Sequence, residues 1–411
     1  MTRVAVLGAG LTGAGTALEL ARRGVDVTLL DQDEVPLNRA SLRNEGKIHL
    51  GLIYANDPSL TTARIQLAGA LRFRSLLAQW TGSAADQVSV STPFVYLVAS
   101  DSVLGPESLE AHYASVQAMY REQLSADPTL DYLGARPDGL FARRALNQLG
   151  AELSAHNFVA AFETAERAVD TDELAVLLRT AIAQSPRIRF LPRRRVDVVE
   201  RCSQGLRIAG SGPEGAWHLV ADQVVNALWE DRRRIDRSFG IAPEPGWLHR
   251  LKFRVIVRLP DALHGAPSAT MVVGRYGDVV IRPNGTAYLS WYPRGLCGWT
   301  HELAPPASWN GVCRGEVDAE EARAMAAETI AAIAAWYPGI AASTPLHVDA
   351  GVIVAYGQTD VDDTRSALHD RSRIGVTSVD GYHSVEPGKL TTAPLMAMVA
   401  ADRVAGREAG V

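Results

Sequence analysis

Three glycines near the start of the chain have the spacing of a phosphate-binding turn. The stretch VLGAGLTGAG places Gly8, Gly10 and Gly13 after an apolar run and before residues with helical periodicity. Gly8 allows a sharp turn, Gly10 allows the backbone to approach a pyrophosphate, and Gly13 allows the helix to pack closely on the strand. The free N–H groups at the helix N-terminus then face the phosphates. This pattern predicts a dinucleotide-binding unit over residues 4–31.

An acidic residue ends the second strand of this unit. Asp31 follows the run VTLL and is expected to accept hydrogen bonds from an adenosine ribose. Its charge would repel a 2′-phosphate, which argues against NADP and leaves NAD or FAD. An ordinary glycine-rich turn without a ligand is the alternative, but the complete context of strand, turn and helix favours the dinucleotide.

The composition is that of a globular protein. With 47% hydrophobic residues, 21% charged residues and a net charge of -5, the chain has the features of neither a disordered nor a nucleic-acid-binding protein. Its 411 residues predict two lobes. The three cysteines are widely spaced and fit neither a metal site nor a disulfide framework, so a reducing, cytoplasmic compartment is expected. No run approaches the roughly 18 apolar residues that a membrane span needs.

Apolar periodicity predicts both helices and strands along the rest of the chain. Predicted helices cover residues 60–77, 107–125, 319–337 and 392–404, and another begins at Thr171 or Asp172 as its cap. Predicted strands cover residues 89–98, 188–191, 196–199, 221–228, 252–259, 270–274, 279–282, 287–292 and 373–376. The strands between residues 251 and 293 predict a separate antiparallel sheet.

Three further segments make the chain similar to a known family. NEGKIHLGLIY at residues 44–54 resembles the L-2-hydroxyglutarate dehydrogenase segment beside the flavin. PGKLTT at residues 387–392 resembles the glycerol-3-phosphate dehydrogenase segment that opens the C-terminal helix against the flavin ring. VVNALW at residues 224–229 matches a run that borders the cofactor, although Leu228 replaces the usual glycine. With the glycine motif, these segments resemble FAD-dependent oxidoreductases of the D-amino acid oxidase superfamily, which includes glycine oxidase.

The resemblance implies an α/β fold, with a Rossmann-like FAD-binding domain and an inserted α+β substrate domain built on a mainly antiparallel sheet. The FAD-binding domain is assigned residues 1–80, 151–230 and 345–411, and the substrate domain residues 81–150 and 231–344. FAD is the expected cofactor. Besides the three glycines and Asp31, its expected contacts are Leu11, Thr12, Gln32, Ser41, Asn44, Gly46, His49, Val196, Asn226, Ala227, Gly388, Lys389, Leu390, Thr391 and Thr392. Arg39 and Arg43 fit cofactor contact and a solvated position equally well.

Three side chains are the candidates for catalysis. His49 is expected near the flavin as a general base, as the site of a covalent link or as a structural histidine, and His383 is the second candidate base. Arg282 ends an apolar run and is the first candidate to bind a substrate carboxylate, with a structural ion pair as the alternative. Lys389 and the N-terminus of the last helix would stabilise negative charge on the reduced flavin.

The expected activity is oxidation of a C–OH or C–N bond in a small polar metabolite, such as a hydroxy acid, an amino acid or an amine. The resemblance implies hydride transfer to flavin N5. The expected partners are this small-molecule substrate and an electron acceptor, oxygen or another, without nucleic acid or membrane. Substrate, acceptor, attachment of FAD and oligomeric state stay open. A non-catalytic flavin- or nucleotide-binding protein and an NAD-dependent dehydrogenase are the alternatives.

Overall fold

The computed structural model describes residues 2–150, 152–154, 158–357 and 371–407. Within them, the strands are β1 (Val4–Leu7), β2 (Val27–Leu30), β3 (Lys47–Ile48), β4 (Phe94–Ala99), β5 (Phe141–Arg144), β6 (Phe158–Thr164), β7 (Arg167–Ala168), β8 (Ile188–Leu191), β9 (Arg195–Cys202), β10 (Gly205–Gly212), β11 (Gly215–Ala221), β12 (Gln223–Asn226), β13 (Trp247–Arg258), β14 (Ser268–Val272), β15 (Gly277–Ile281), β16 (Thr286–Trp291), β17 (Leu296–Thr300), β18 (Thr344–Tyr356), β19 (Gly375–Val379) and β20 (Tyr382–Glu386). The α-helices are α1 (Leu11–Arg22), α2 (Thr61–Ala70), α3 (Phe73–Thr81), α4 (Pro106–Ala126), α5 (Thr171–Gln184), α6 (Arg232–Phe239), α7 (Tyr292–Gly295), α8 (Asn310–Cys313), α9 (Ala319–Ala334) and α10 (Ala393–Val404).

A six-stranded sheet contains the N-terminal glycine motif. Its order is β19-β20-β12-β1-β2-β8, and every neighbouring pair except β19 with β20 is parallel. Strand β1 is fully buried, as its continuous apolar run predicts for a strand in the middle of a parallel sheet. The turns after β1 and β12 meet at the carboxyl edge, where Ala227 N–H donates to the Leu7 carbonyl at 2.9 Å. Ligands of such sheets bind at this edge.

A larger, mainly antiparallel sheet forms the second lobe. Its order is β17-β13-β16-β15-β14-β4-β6-β5, with β18 also paired to β13 and with β14 parallel to β4. One face of β13 packs Leu251, Phe253 and Val255 into a core shared with Met325 and Ile333 of α9. Strand β6 and nearly all of β18 lie in this sheet, although they come from stretches predicted to belong to the cofactor domain. Strand β6 pairs with β4 as well as with its neighbour β5, and β18 pairs with β13; the pairings with β4 and β13 join distant parts of the sequence, so no local pattern reveals them.

Two small sheets complete the framework. Strands β9, β10 and β11 form an antiparallel meander, and α6 packs against β9. Strands β3 and β7 form a short antiparallel pair in which Lys47 faces Ala168 and Ile48 faces Arg167. This pair brings the predicted flavin segment, residues 44–54, beside the chain between β6 and α5.

The predicted α/β fold class is confirmed, and some predicted element limits were wrong. The single helix predicted over residues 60–77 is two helices, α2 and α3, separated at Leu71 and Arg72. The predicted strand over residues 89–98 begins only at Phe94. Helix α5 is capped by Asp170, whose carboxylate accepts hydrogen bonds from the N–H groups of Asp172 and Glu173.

Candidate active site

The glycine motif has close backbone approaches that exclude side chains. Gly8 has a φ of 89°, and a β-carbon on it would lie 2.7 Å from the Ala227 carbonyl oxygen. A β-carbon on Gly13 would lie 1.8 Å from the Gly8 carbonyl oxygen, so only glycine lets α1 start this close to β1. Gly10 is the N-cap of α1 and lies beside Ser41. The backbone is therefore open to a ligand at the start of α1.

Asp31 lies at the carboxyl end of β2 and accepts two backbone hydrogen bonds. The donors are the N–H groups of Ala9 at 2.6 Å and Asp33 at 2.8 Å. Desolvation by burial raises the pKa of Asp31 to about 6, although these two donors oppose the shift. Asp31 and its neighbour Gln32 line the large cavity described below. Their contact with a ribose stays a prediction.

Polar side chains fix the loop between β2 and β3. Ser41 Oγ accepts the Leu11 N–H at 2.9 Å, at the first residue of α1. The Asn44 side chain donates to the carbonyl oxygens of Ala40 and Ser41 and accepts the Gly46 N–H at 2.7 Å. Asn44 thus shapes the loop, and both Ser41 and Asn44 line the cavity.

Arg39 and Arg43 belong to ion-pair networks rather than to solvent. Arg39 lies 3.0 Å from Asp33 and 3.5 Å from Glu230. Arg43 is buried and lies 3.1 Å from Asp349 of β18. Both arginines line the cavity and tie the loop after β2 to other parts of the chain. The solvated alternative weighed for them is therefore wrong.

The Asp349 carboxylate is shared by two guanidinium groups. Arg254 approaches it at 2.6 Å and Arg43 at 3.1 Å. Within the described residues, Arg43 Nη1 is buried without a hydrogen-bond partner, and this side chain lines the cavity. An unused N–H on a buried cation suits an anionic ligand such as a pyrophosphate.

A large cavity connects these elements. It extends from the glycine turn along residues 38–49 and 227–230 to residues 387–390. The predicted cofactor contacts in its lining are Gly8, Gly10, Leu11, Thr12, Asp31, Gln32, Ser41, Asn44, His49, Ala227, Gly388, Lys389 and Leu390. The glycine cradle, the helix N-terminus and the unused N–H of Arg43 together fit a dinucleotide, because they offer open backbone donors and positive charge to its phosphates.

The other predicted cofactor contacts do not line the cavity but pack behind the residues that do. They are Gly13, Gly46, Val196, Asn226, Thr391 and Thr392. Asn226 donates to the Tyr382 hydroxyl at 2.7 Å, and Val196 belongs to an apolar cluster beside β1. Thr391 Oγ1 accepts the His49 backbone N–H at 2.9 Å. Residues 390–392 form a short 3-10 turn before α10, so the last helix begins one residue later than predicted.

A second cavity adjoins the first and shares part of its lining. The residues that line both cavities are Glu45, Lys47, His49, Lys252, Ile353 and Lys389. Much of the remaining lining comes from the large sheet, with Tyr54 and Arg371 contributed from elsewhere. The junction formed by the shared residues is where a cofactor in the first cavity would meet a substrate in the second.

A buried carboxylate orients His49 at this junction. His49 Nδ1 lies 3.1 Å from Glu166 Oε1, and its Nε2 lies 3.9 Å from Glu45. Glu166 also accepts hydrogen bonds from the Leu50 N–H at 2.9 Å and the Tyr96 hydroxyl at 2.5 Å. An ionised carboxylate can only accept, so His49 carries its proton on Nδ1 and keeps an acceptor lone pair on Nε2.

Burial and neighbouring charges set the protonation of the junction. Burial lowers the pKa of His49 below its usual value, so the imidazole is neutral at pH 7. Burial and the positive charge of Arg371 lower the pKa of Lys389 to about 7. Burial alone would raise the pKa of Glu45, but the positive charges of Lys252 and Lys389 lower it well below its usual range. A neutral base therefore lies beside an ionised carboxylate and an easily deprotonated amine.

His383, the second predicted base, lies in β20 and outside the lining of both cavities. Its Nδ1 is 2.8 Å from the Ser378 hydroxyl and its Nε2 is 2.7 Å from the Gln223 side chain. Burial lowers its pKa to about 4. Both ring nitrogens are engaged with neighbouring side chains, so these surroundings favour a structural role.

Arg282, the predicted carboxylate ligand, is held by acids of α5 and its cap. It lies 3.3 Å from Asp170 and 3.4 Å from Asp172, and it is outside both linings. Asp278 at the other end of β15 lines the second cavity. Four residues of extended chain, at about 3.3 Å each, carry Arg282 roughly 13 Å beyond Asp278. This position favours the structural ion pair that was its alternative.

Strand β13 contributes basic side chains to the site, and these were not among the predicted site residues. Arg250 and Lys252 line the second cavity, and Arg254 pairs with Asp349. Leu251 and Phe253 between them point into the apolar core. The stretch RLKFRV contains the signal, because strict alternation of basic and apolar residues predicts a strand with one apolar and one basic face.

Comparisons with known proteins agree with this fold. Residues 3–403 match the family model described as "FAD dependent oxidoreductase". Over its full length, the fold is similar to glycine oxidase from Geobacillus kaustophilus, with a TM-score of 0.68, 16% identity and 96% of that chain covered. It is also similar over its full length to iminodiacetate oxidase from Chelativorans sp. BNC1, with a TM-score of 0.67, 17% identity and 97% coverage of that chain.

A curated sequence relative matches only a short segment. The tRNA 5-methylaminomethyl-2-thiouridine biosynthesis bifunctional protein MnmC from Chromohalobacter salexigens is 43% identical over 74 residues. That match covers 18% of this chain and 10% of the relative, so the similarity spans about a tenth of the curated protein.

The fold and the two adjoining cavities define a flavoenzyme. The chain belongs to the FAD-dependent oxidoreductase family of D-amino acid oxidase type. This match confirms the predicted resemblance to the family and the prediction of an enzyme that uses FAD. It also decides between FAD and NAD, which the glycine motif and Asp31 left open. Among the described residues, no helix is long and apolar enough to cross a membrane.

Proposed function

We propose that this oxidoreductase oxidises a C–OH or C–N bond of a small polar metabolite, with His49 as the proton acceptor. The observation that carries the proposal is the position of His49 at the junction of both cavities, with Nδ1 bonded to Glu166 and Nε2 available. When bound, FAD supplies the two-electron acceptor that takes the hydrogen leaving carbon with its electron pair.

The protonation of His49 supports its role as a base. Its pKa lies below its usual value because of burial, so the ring is neutral and ready to accept a proton at pH 7. The substrate O–H or N–H proton passes to Nε2 while the double bond to carbon forms, and Glu166 stabilises the resulting imidazolium. A positioned base of this kind contributes roughly 100- to 10,000-fold to a rate.

The charge of the second cavity favours a hydroxyl substrate over an ammonium substrate. Basic side chains outnumber carboxylates in its described lining. A substrate ammonium group would add a further positive charge to this buried space, whereas a hydroxyl adds none. We therefore propose hydroxy acids as the first class to test and amino acids as the second.

Anaerobic reduction of the FAD-loaded protein tests the proposal. Hydroxy acids, amino acids and amines are added singly, and flavin bleaching is followed by stopped-flow absorbance. His49→Ala should slow bleaching by roughly 100-fold or more while retaining FAD. His218→Ala, on the exposed face of β11, is the control for a histidine substitution. Wild-type bleaching by His49→Ala with every active substrate would refute the role of His49. Loss of bleaching in His383→Ala instead would assign the base to His383.

A further inference from the structure

Two buried polar atoms in the wall of the second cavity have no hydrogen-bond partner within the described residues. They are the Tyr54 hydroxyl and Arg371 Nε, and both side chains line the second cavity but not the first. A buried polar atom without a hydrogen bond costs free energy, so folded proteins seldom retain one unless a ligand or an ordered water molecule binds it. A ligand in the cavity is therefore a natural partner for these two atoms.

Tyr54 lies directly beside the base of the proposed function. It is the last residue of the short 3-10 turn Leu52–Tyr54, and its ring packs edge-to-face on His49, with the ring centroids 5.6 Å apart and the planes at 72°. Burial raises the pKa of the Tyr54 hydroxyl, which is therefore neutral at pH 7 and can donate its proton in a hydrogen bond. The ring is thus fixed by packing, while the hydroxyl is left without a partner.

Arg371 is held by contacts that do not involve its Nε. Its backbone N–H donates to Thr62 Oγ1 of α2 at 2.9 Å, and its Nη1 donates to the Val354 carbonyl oxygen of β18. The negative charge of Glu386 stabilises the charged guanidinium, whereas the positive charge of Arg250 opposes it. A guanidinium N–H can only donate, so any ligand group that binds Nε must be an acceptor. The direction of the hydrogen bonds, rather than the net charge, therefore defines what can bind here.

We propose that the Tyr54 hydroxyl and Arg371 Nε donate hydrogen bonds to an oxygen atom of the substrate and so position the oxidised bond at His49. The inference rests on the proposed function, since it concerns the substrate of the same site. Because the Tyr54 ring contacts His49, this acceptor oxygen lies within a few atoms of the oxidised carbon. Substrates with a carboxylate or a neutral carbonyl beside that carbon share this chemistry, and a simple amine lacks it.

Tyr54→Phe tests the inference, because it removes the hydroxyl and keeps the ring against His49. Propionate and propionamide are unreactive probes, and their binding to the oxidised, FAD-loaded protein is followed by isothermal calorimetry and by perturbation of the flavin spectrum. The substitution should weaken propionate binding by roughly 10- to 100-fold, as expected for a hydrogen bond to a charged group, and propionamide binding by about 2- to 10-fold. Weaker binding of propionate would identify a carboxylate as an acceptor at this site, and weaker binding of propionamide alone would identify a neutral carbonyl.

Tyr113→Phe is the matched control. Tyr113 is also buried, and its hydroxyl has no hydrogen-bond partner in the described part of the chain, but it lies outside both linings. Each substitution removes an unpaired buried hydroxyl, so the melting temperature of each ligand-free, FAD-loaded variant should equal or exceed that of the wild type. Only Tyr54→Phe should weaken binding of the probes.

Several results would overturn the inference. They are equal probe affinities in the wild type and Tyr54→Phe, equal effects of the two substitutions, and no binding of either probe to the wild type. A lower melting temperature or loss of FAD in Tyr54→Phe would also overturn it, because the hydroxyl would then have a structural role.

Anaerobic flavin reduction separates this inference from the proposed function. With any substrate that bleaches the flavin, Tyr54→Phe should mainly raise the substrate concentration that gives half the limiting rate, whereas His49→Ala should lower the limiting rate itself. Bleaching by hydroxy acids without an effect of Tyr54→Phe on binding would keep the function and reject the role of Tyr54. Tyr54-dependent binding of the probes without bleaching by any hydroxy acid, amino acid or amine would keep the binding site and reject the function.

Discussion

Glu166→Gln isolates the charge that orients His49 while nearly preserving side-chain volume. His49 Nδ1 and Glu166 Oε1 are 3.1 Å apart, and both side chains are buried. The charges are spread over the ring and the carboxylate, so their centres lie farther apart than these two atoms; opposite unit charges about 4 Å apart attract by about 4 kcal/mol at an effective dielectric constant of about 20. Each 1.36 kcal/mol corresponds to about tenfold in rate. If proton transfer to His49 is between half complete and complete in the transition state, flavin reduction should slow by roughly 30- to 1000-fold.

The pH dependence separates this electrostatic role from a general structural one. In the proposed function the neutral form of His49 is the base, so reduction should decline as the pH falls through its pKa, which lies below the usual value because of burial. Glu166 opposes that shift by favouring the protonated ring. The acidic limb of Glu166→Gln should therefore move to lower pH while the plateau rate falls.

Stopped-flow reduction between about pH 5 and 9 measures both effects at saturating substrate. Tyr96→Phe is the matched control, because it removes a neutral hydrogen-bond donor from Glu166 and leaves the carboxylate in place. It should slow reduction by less than about tenfold, as expected for one neutral hydrogen bond. A wild-type plateau and an unmoved acidic limb in FAD-loaded Glu166→Gln would refute the reasoning. If that variant does not retain FAD, a shift of the acidic limb in Tyr96→Phe to lower pH would refute it instead, because the loss of this donor leaves more of the carboxylate charge to favour the protonated ring.

Three further predictions follow from other contacts. Gly13→Ala should abolish FAD retention, because its β-carbon would lie 1.8 Å from the Gly8 carbonyl oxygen. The absorbance spectrum of the purified protein measures this. Gly375→Ala is the control and should retain FAD, because no atom lies within 4 Å of the added carbon. Lys389 is charged below its pKa of about 7 and neutral above it, so the affinity of the FAD-loaded protein for an unreactive carboxylate such as propionate, measured by calorimetry, should fall as the pH rises through 7. Lys389→Met should remove that pH dependence, and a wild-type profile in this variant would contradict the assignment. Asp349→Asn should lower the free energy of unfolding by about 3–5 kcal/mol in urea titrations, because two buried arginines lose their shared carboxylate; an unchanged midpoint would contradict it.

The local parts of the site are predictable from the sequence, since each is encoded in consecutive residues. The turn at Gly8, the close helix approach at Gly13 and the acid at Asp31 need only the neighbouring pattern. Arg282 shows the limit of such reasoning. Its position at the end of an apolar run correctly predicts that this arginine is buried. The run does not indicate which end of β15 lies at the cavity. The strand direction relative to the other lobe decides that, and it depends on pairing with distant strands.

Glu166 shows why the contact that orients His49 cannot be predicted from local pattern. It is separated from His49 by 117 residues, and the two meet only because the short β3 and β7 strands pair. Neither strand is long enough to give a periodic signal. An ionised carboxylate is costly to bury even when it accepts three hydrogen bonds, and in the proposed function its charge stabilises the imidazolium that forms during reaction. A purely structural histidine would be satisfied by a neutral acceptor, so the ionised partner is the feature that favours a base at position 49.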